Sequence, residues 1–173
     1  MRMVDVVVDV EADGPCPGLY SMISLGAVVC APGSLRSYHL SVRPISERFN
    51  EAAMAVSSTT RSKHLTFPRP EDAIPKFCDW VKSLKGGRPV MWSDNPAFDW
   101  QWVNYYLHRY AGENPFGHSA RRIGDLYCGI KLDLHARWKH LRDTKHTHNP
   151  VDDATANAEA LLKIMETIRQ ARG

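Results

Sequence analysis

The chain has 173 residues, of which 43% are hydrophobic and 24% are charged, a composition typical of one globular domain with a buried core. No apolar run is long enough to span a bilayer and no secretion signal precedes the first strand, so we expect a cytoplasmic protein with no membrane partner. A net charge of +3 suggests a polyanionic partner only weakly, and four cysteines without a C-x-x-C pair disfavour a zinc knuckle.

Three strands are predicted first along the chain, over residues 3–11, 22–31 and 35–43. Side chains in a strand alternate between faces, so alternate valines of the first strand share one face while Asp9 and Glu11 share the other. A strand this apolar is typical of the centre of a sheet, where both faces are buried. The loops between the three strands are short, which indicates an antiparallel meander.

Helices are predicted to dominate the rest of the chain. Apolar residues at helical spacing predict a helix over residues 70–84, ended by the glycines that follow. A second helix is opened by Pro96, runs to about Tyr110 and is ended by Gly112, and the last helix covers about 151–169. Residues 47–66 have no clear pattern beyond a short helix around 51–56.

Two further short strands are predicted between these helices. The apolar run 89–92 has the composition of a buried strand, and another strand ends near Ile123, before a helix that starts near Asp125. Three strands followed by alternating helices and strands indicate an α/β protein with a mixed sheet flanked by helices. We expect one domain that covers residues 1–173.

Acidic residues occur at three places where a surface role explains them poorly. Two like charges on the buried face of a strand cost several kcal/mol per ion unless something offsets them, and a divalent cation can do so. Asp99 falls in the first turn of a helix that follows a buried strand, and Asp152 and Asp153 fall at the start of the last helix. A charge that complements the helix dipole is the simpler explanation for each alone, and it is worth a few tenths of a kcal/mol.

The donor chemistry indicates which ion such a group of carboxylates binds. Carboxylate oxygens without cysteine or clustered histidines favour hard cations, Mg²⁺ or Mn²⁺. Two such ions ~4 Å apart can contact both the attacking and the leaving oxygen of a phosphodiester.

Three sequence motifs together resemble those of the DEDDh 3′→5′ exonuclease superfamily, which includes ribonuclease T, oligoribonuclease and proofreading exonucleases. The motifs are Asp9-Val10-Glu11, the segment from Asn95 to Asp99, and the segment from His148 to Ala154. Their order matches the family across essentially the whole chain. The first two are weak signals alone, and the His-x-x-x-x-Asp-Ala element makes the set specific.

The resemblance implies a ribonuclease H-like fold, with a five-stranded mixed sheet whose first three strands are antiparallel. It implies that Asp9, Glu11, Asp99 and Asp153 hold two Mg²⁺ or Mn²⁺ ions and that His148 is the general base. The family spacing selects His148 over His146, and Asp153 over Asp152. The loop after Glu11 departs from the family pattern, Asp94 stands where many members have histidine, and Pro150 replaces the usual alanine.

The implied activity is hydrolysis at the 3′ end of single-stranded nucleic acid, releasing nucleoside 5′-monophosphates. RNA is slightly favoured as substrate because the domain is freestanding, and a DNA exonuclease of proofreading or repair type is the alternative. A non-catalytic nucleic-acid-binding module and a phosphohydrolase of small molecules are alternatives from other classes. Several relatives work as dimers, so a homodimer is a further expectation from the resemblance.

Substrate contacts are expected at three other residues. Phe98 is a candidate for stacking on the terminal base, with packing into the core as an equal alternative. Arg142 and Lys145, within the basic stretch 137–146, are candidates for contacts with the phosphate backbone, and a solvated surface loop is the simpler explanation of that stretch.

Overall fold

The computed structural model describes residues 2–33, 36–171 and 173, and its centre is one mixed sheet of five strands. The strand order is β3-β2-β1-β4-β5, in which β1 pairs antiparallel with β2 and parallel with β4. The predicted antiparallel meander and the central position of the first strand are therefore confirmed. The strands are β1 (Met3–Ala12), β2 (Met22–Val29), β3 (Ser37–Ser41), β4 (Arg88–Ser93) and β5 (Ala120–Arg122).

Six α-helices accompany the sheet in the described part of the chain. The helices are α1 (Glu51–Val56), α2 (Arg61–His64), α3 (Pro70–Lys82), α4 (Pro96–Ala111), α5 (Ile123–Lys131) and α6 (Pro150–Gln170). A short 3₁₀ turn, Lys139–Leu141, lies inside the basic stretch.

The alternation of β1 divides the interior into two cores. Val6, Val8 and Val10 are buried on the face covered by α3 and α4, together with Trp102 of α4. Val7 is buried on the opposite face, in the cluster formed with α5 and α6. Asp9 and Glu11 are on the same face of β1 as Val7, so the two carboxylates lie at the edge of the second core.

Several boundaries differ from those predicted. The third strand ends two residues before Arg43, and the predicted start at Leu35 lies outside the described residues. The helix α2 was not predicted because four residues are too few to show a hydrophobic period; it is capped by Thr60, whose side chain accepts a hydrogen bond from the Lys63 amide. The helix α3 ends at Lys82, two residues earlier than predicted.

The sequence signals for the two ends of α4 were interpreted correctly. Pro96 stands at the start of α4, and Gly112 ends that helix in the left-handed conformation, at φ 76°. The four cysteines are all free thiols. No helix in the described ranges has the length and apolar character needed to cross a membrane.

Candidate functional site

Four carboxylates from three distant segments meet at one edge of the sheet. Asp9 and Glu11 lie at the C-terminal end of β1, on the face that α6 covers. Asp99 lies in the first turn of α4, which begins just after the end of the neighbouring parallel strand β4. Asp153 lies in the first turn of α6. Parallel strands end at the same edge, so the fold brings together residues that are up to 144 positions apart in the chain (153 − 9).

Three of these carboxylates form a compact group. Asp9, Glu11 and Asp153 each present one oxygen, and these oxygens lie within 4.8 Å of one another. The side chain of Asp153 is 1% exposed and that of Glu11 is 13% exposed. Such a group of partly or fully buried acids has the size and the donor set of a divalent-cation site.

Gly26 allows α6 to approach the sheet closely enough for this group to form. Gly26 is paired with Asp9 across β1 and β2. A Cβ atom at this position would lie 2.2 Å from the carbonyl carbon and oxygen of Pro150. Because the start of α6 lies directly on the β2 backbone here, Asp153 comes within reach of Asp9.

Asp99 is held beside the group by two hydrogen bonds. The amide of Val10, which lies between the two acids of β1, donates to Asp99 Oδ1 at 3.0 Å. The Ser93 hydroxyl donates to the other oxygen. Burial raises the pKa of Asp99 to about 7, and the hydrogen bonds from Ser93 and Val10 oppose that rise.

Burial and neighbouring acids also disfavour the charged forms of Asp9 and Glu11. Burial first, and then the charges of Asp99, Glu11 and Asp153, hold the pKa of Asp9 well above its ordinary value. Burial, followed by the charges of Asp153 and Asp99, raises the pKa of Glu11 to about 7. Among the described residues, no lysine or arginine forms an ion pair with any of these four carboxylates. The residues therefore fit a hard divalent cation, which would supply the missing positive charge.

His148 lies at the opening of the group, on the loop before α6. Its Nδ1 is 4.0 Å from Glu11 Oε1, and its side chain is 44% exposed. Its backbone is in the left-handed region, at φ 59°, which is uncommon for a residue with a side chain. The His148 amide donates to Asp153 Oδ2 at 3.1 Å, and this bond helps to hold the loop in that conformation.

The structure also brings a second histidine to the site. His146 Nδ1 is 2.9 Å from Asp153 Oδ2, and the rings of His146 and His148 are 4.3 Å apart. Family spacing had selected His148 alone, so the contact of His146 with Asp153 was missed. Gly26 and Ser93 were missed as well. A glycine inside an apolar strand is a signal of close backbone approach, whereas nothing in the sequence marks Ser93.

The expected substrate contacts lie in different surroundings. Phe98 is half-buried and packs edge-on to Trp102 at 6.0 Å, within the α4 side of the core. Lys145 is exposed on the loop before α6. Arg142 is mostly buried, with its side chain 13% exposed and its guanidinium 4.8 Å from the ring centroid of Trp138.

Asp94 accounts for the burial of Arg142. Arg142 donates to Asp94 at 3.3 Å and to the buried Asn157 at 2.5 Å, and Lys139 pairs with the same Asp94 at 2.7 Å. Two residues of the basic stretch, Lys139 and Arg142, thus pair with Asp94, which stands where many family members have histidine. These internal contacts do not support a role for Arg142 in binding nucleic acid, and that role stays a prediction.

A known protein and several solved structures are similar to this chain in sequence or in fold. No protein-family model matches the chain. The 3′-5′ DNA exonuclease Cap18 of Escherichia coli is 36% identical over 184 residues, which cover 99% of this chain and 96% of that protein.

Solved structures of nucleases share the fold. The nuclease domain of 3′hExo, a DEDDh family member bound to rAMP, has a TM-score of 0.74 at 14% identity, over 95% of this chain and 92% of that one. The zinc-bound complex of E. coli exonuclease I with single-stranded DNA has a TM-score of 0.72 at 17% identity. That match covers 99% of this chain and only 42% of the exonuclease I chain. Together with the Cap18 relationship, these likenesses show that the chain belongs to the DEDDh 3′-5′ exonucleases, divalent-metal-dependent phosphodiester hydrolases with a ribonuclease H-like fold.

Proposed function

We propose that residues 1–173 form a single exonuclease domain that removes nucleotides one at a time from the 3′ end of single-stranded DNA. The observation that carries this proposal is the meeting of Asp9, Glu11 and Asp153 beside Asp99 and His148. The choice of DNA rests on Cap18, which is a DNA exonuclease and matches nearly the full length of this chain. The slight preference for RNA drawn from the freestanding domain has no such support, so RNA becomes the alternative substrate.

The proposed mechanism assigns the four carboxylates to two Mg²⁺ or Mn²⁺ ions. Asp9, Glu11 and Asp153 would hold one ion, and Asp9 with Asp99 would hold the second. When bound, these ions supply a more acidic attacking water and positive charge beside the attacking and leaving oxygens of the scissile phosphate. The bonds from Val10 and Ser93 keep Asp99 oriented, so the set is arranged before substrate arrives.

His148 is assigned as the general base. Its imidazole is at the solvent-facing side of the acids, 4.0 Å from Glu11, where it can take the proton of the attacking water and pass it to solvent. The new bond joins the water oxygen to phosphorus, and the bond from phosphorus to the 3′ oxygen of the preceding nucleotide breaks. A nucleoside 5′-monophosphate leaves, and the 3′ oxygen of the shortened strand takes a proton from solvent to become a new 3′ hydroxyl.

The proposal is tested with 5′-labelled single-stranded DNA, single-stranded RNA and duplex DNA, and with free nucleotides, each with Mg²⁺, with Mn²⁺ and with EDTA. We expect a ladder of strands shortened from the 3′ end, faster on single-stranded DNA than on RNA, and no cleavage with EDTA. Binding without shortening would support a non-catalytic module instead. Cleavage of free nucleotides alone would indicate a small-molecule phosphohydrolase.

Replacement of His148 tests its assigned role. We expect His148→Ala to lower the rate of DNA shortening by ~10²–10⁴-fold, which is the usual contribution of a positioned general base. The side chain is 44% exposed, so the variant should keep the melting temperature of the wild type to within a few degrees, about the effect of a surface substitution. A variant that folds and keeps the wild-type rate would show that His148 is not the base.

A further inference from the structure

A second set of metal-binding donors lies on the outer side of Asp153. One donor atom each from His146, His148 and Asp153 lie within 4.8 Å of one another. His146 Nδ1 and Asp153 Oδ2 are 2.9 Å apart, and the two imidazole rings are 4.3 Å apart. We propose that these three residues form a second metal site, distinct in chemistry from the carboxylate group, that binds Zn²⁺ or a similar borderline divalent ion.

The two overlapping sites differ in their donors. Asp9, Glu11 and Asp153 offer oxygen only, and oxygen donors suit Mg²⁺ and Mn²⁺. The second set offers two imidazole nitrogens and one oxygen, a combination that suits Zn²⁺. Asp153 belongs to both sets, so the sites share one ligand and the type of ion decides which set is used.

The loop before α6 prepares the second set. The amides of Thr147 and His148 donate to the two oxygens of Asp153 at 2.9 and 3.1 Å. This wraps the loop around the carboxylate and turns His146 and His148, which are two positions apart, toward the same side. The arrangement depends on backbone hydrogen bonds, so it exists without an ion.

Only small movements are needed to complete this site. Tetrahedral zinc with bonds of about 2.0–2.1 Å places its ligand atoms about 3.4 Å apart. The donors lie within 4.8 Å of one another, so no pair of donor atoms has to close by more than about 1.4 Å (4.8 − 3.4). The side chains of His146 and His148 are 49% and 44% exposed, which leaves both rings room to rotate and leaves the fourth zinc position open to solvent.

Zinc at this site would oppose the proposed reaction. This consequence rests on the proposed function, because it requires His148 to be the base. An imidazole nitrogen that binds zinc has no free lone pair to accept a proton, and a shared Asp153 oxygen is withdrawn from the carboxylate group. We therefore expect low concentrations of Zn²⁺ to inhibit DNA cleavage supported by Mg²⁺.

Binding measurements on the full chain test the site without substrate. Zn²⁺ affinity is measured by competition with a chromophoric chelator, and the visible absorption of bound Co²⁺ reports its coordination. We expect His146→Ala to weaken Zn²⁺ binding at least tenfold, since even changes around a metal ligand cost about 10–100-fold. His118→Ala, at an exposed histidine before β5, is the matched control and should bind Zn²⁺ like the wild type.

A second variant, Asp9→Asn, distinguishes ion binding at the carboxylate group from ion binding at the proposed zinc site. Asp9→Asn should lose Mn²⁺ affinity while it keeps Zn²⁺ affinity and the Co²⁺ spectrum, and His146→Ala should show the opposite pattern. Equal Zn²⁺ affinity in His146→Ala and wild type, or loss of Zn²⁺ binding in Asp9→Asn, would place zinc among the carboxylates and overturn the proposal. Circular dichroism of each variant confirms folding.

The activity measurement is kept separate. Under the proposal, the Zn²⁺ concentration that halves Mg²⁺-supported cleavage rises in His146→Ala by the same factor as the loss of Zn²⁺ affinity. If the wild type shortens no nucleic acid, the proposed function fails while the binding result still decides the zinc site. If cleavage occurs and zinc inhibits both proteins equally, the inhibitory role is wrong.

Discussion

At the level of single residues, the site holds together several carboxylates that no lysine or arginine among the described residues pairs with. As whole residues, Asp99 is 4% exposed and Asp153 is 2% exposed, yet each lies beside other acids. Nearby Asp94 has the opposite surroundings, because Lys139 and Arg142 both pair with it. The metal-free protein therefore carries a repulsion at Asp9 that folding tolerates and that a bound cation would remove.

This repulsion predicts an unusual effect of a neutral substitution. We expect Asp9→Asn to raise the free energy of unfolding of the metal-free protein at pH 8, because the substitution removes a buried charge that lies beside the charges of Asp99, Glu11 and Asp153. The same variant should lose cleavage activity. Urea denaturation in EDTA measures the change.

Asp94→Asn is the matched control for that measurement. It removes the same charge from a paired acid, so we expect it to leave stability unchanged or to lower it. If Asp9→Asn destabilised the metal-free protein as much as Asp94→Asn does, the carboxylates would not repel one another as described.

At the level of elements, the position of α6 on the sheet sets the distance between Asp153 and Asp9. The contact at Gly26 is backbone against backbone, since a Cβ there would lie 2.2 Å from Pro150 atoms that cannot rotate away. A displacement of the helix start would move Asp153 and the loop that carries His148 together.

Gly26→Ala tests this dependence on helix position. We expect a loss of stability of about 1–3 kcal/mol from overpacking, together with weaker Mn²⁺ binding because Asp153 moves away from Asp9. Gly129→Ala is the control, since its added Cβ meets no atom within 4 Å and alanine favours the helix. Unchanged Mn²⁺ affinity in Gly26→Ala would show that α6 is not positioned by this contact.

A buried histidine links the short helix α2 to the sheet. His64 is fully buried, and its Nε2 donates to the Met22 carbonyl at 3.2 Å. The charged groups that face it are Arg61 of α2 and Asp13 of the loop after β1, whose Oδ2 is 3.7 Å from His64 Nδ1. Burial lowers the pKa of His64 to about 4.

This shift predicts how stability depends on pH. In the unfolded chain His64 binds a proton near its ordinary pKa of 6.5, so between pH 6.5 and 4 the unfolded state holds more protons than the folded state. The contribution of His64 to stability is then lost as pH falls through this range, by up to about 3 kcal/mol. The raised pKa values of Asp13 and of the site acids Asp9, Glu11 and Asp99 act in the opposite direction.

The contribution of His64 is isolated by comparing variants. We expect His64→Gln to be less stable than the wild type at pH 7.5, and we expect this difference in the free energy of unfolding to shrink between pH 7.5 and 5, as measured by urea denaturation. His118→Gln, at an exposed site, should keep the wild-type slope. Parallel pH slopes for His64→Gln and wild type would contradict a neutral, buried His64.

At the level of the whole molecule, the sequence predicted the features that follow from short-range rules. Period-two alternation placed Asp9 and Glu11 on one face, and Pro96 and Gly112 marked the ends of α4. Close approaches between distant segments were not predictable, because Gly26 meets Pro150 only in the folded chain. The same holds for Arg142, which is mostly buried against Trp138 and Asp94 although Lys139 and Lys145 of the same segment are exposed.

The central claim is that these carboxylates hold divalent cations, and anomalous scattering from crystals grown with Mn²⁺ tests it most directly. The account predicts manganese peaks in contact with the carboxylate oxygens of Asp9, Glu11 and Asp153, and none there in crystals of Asp9→Asn. Well-ordered carboxylates with no manganese between them, at saturating Mn²⁺, would contradict it.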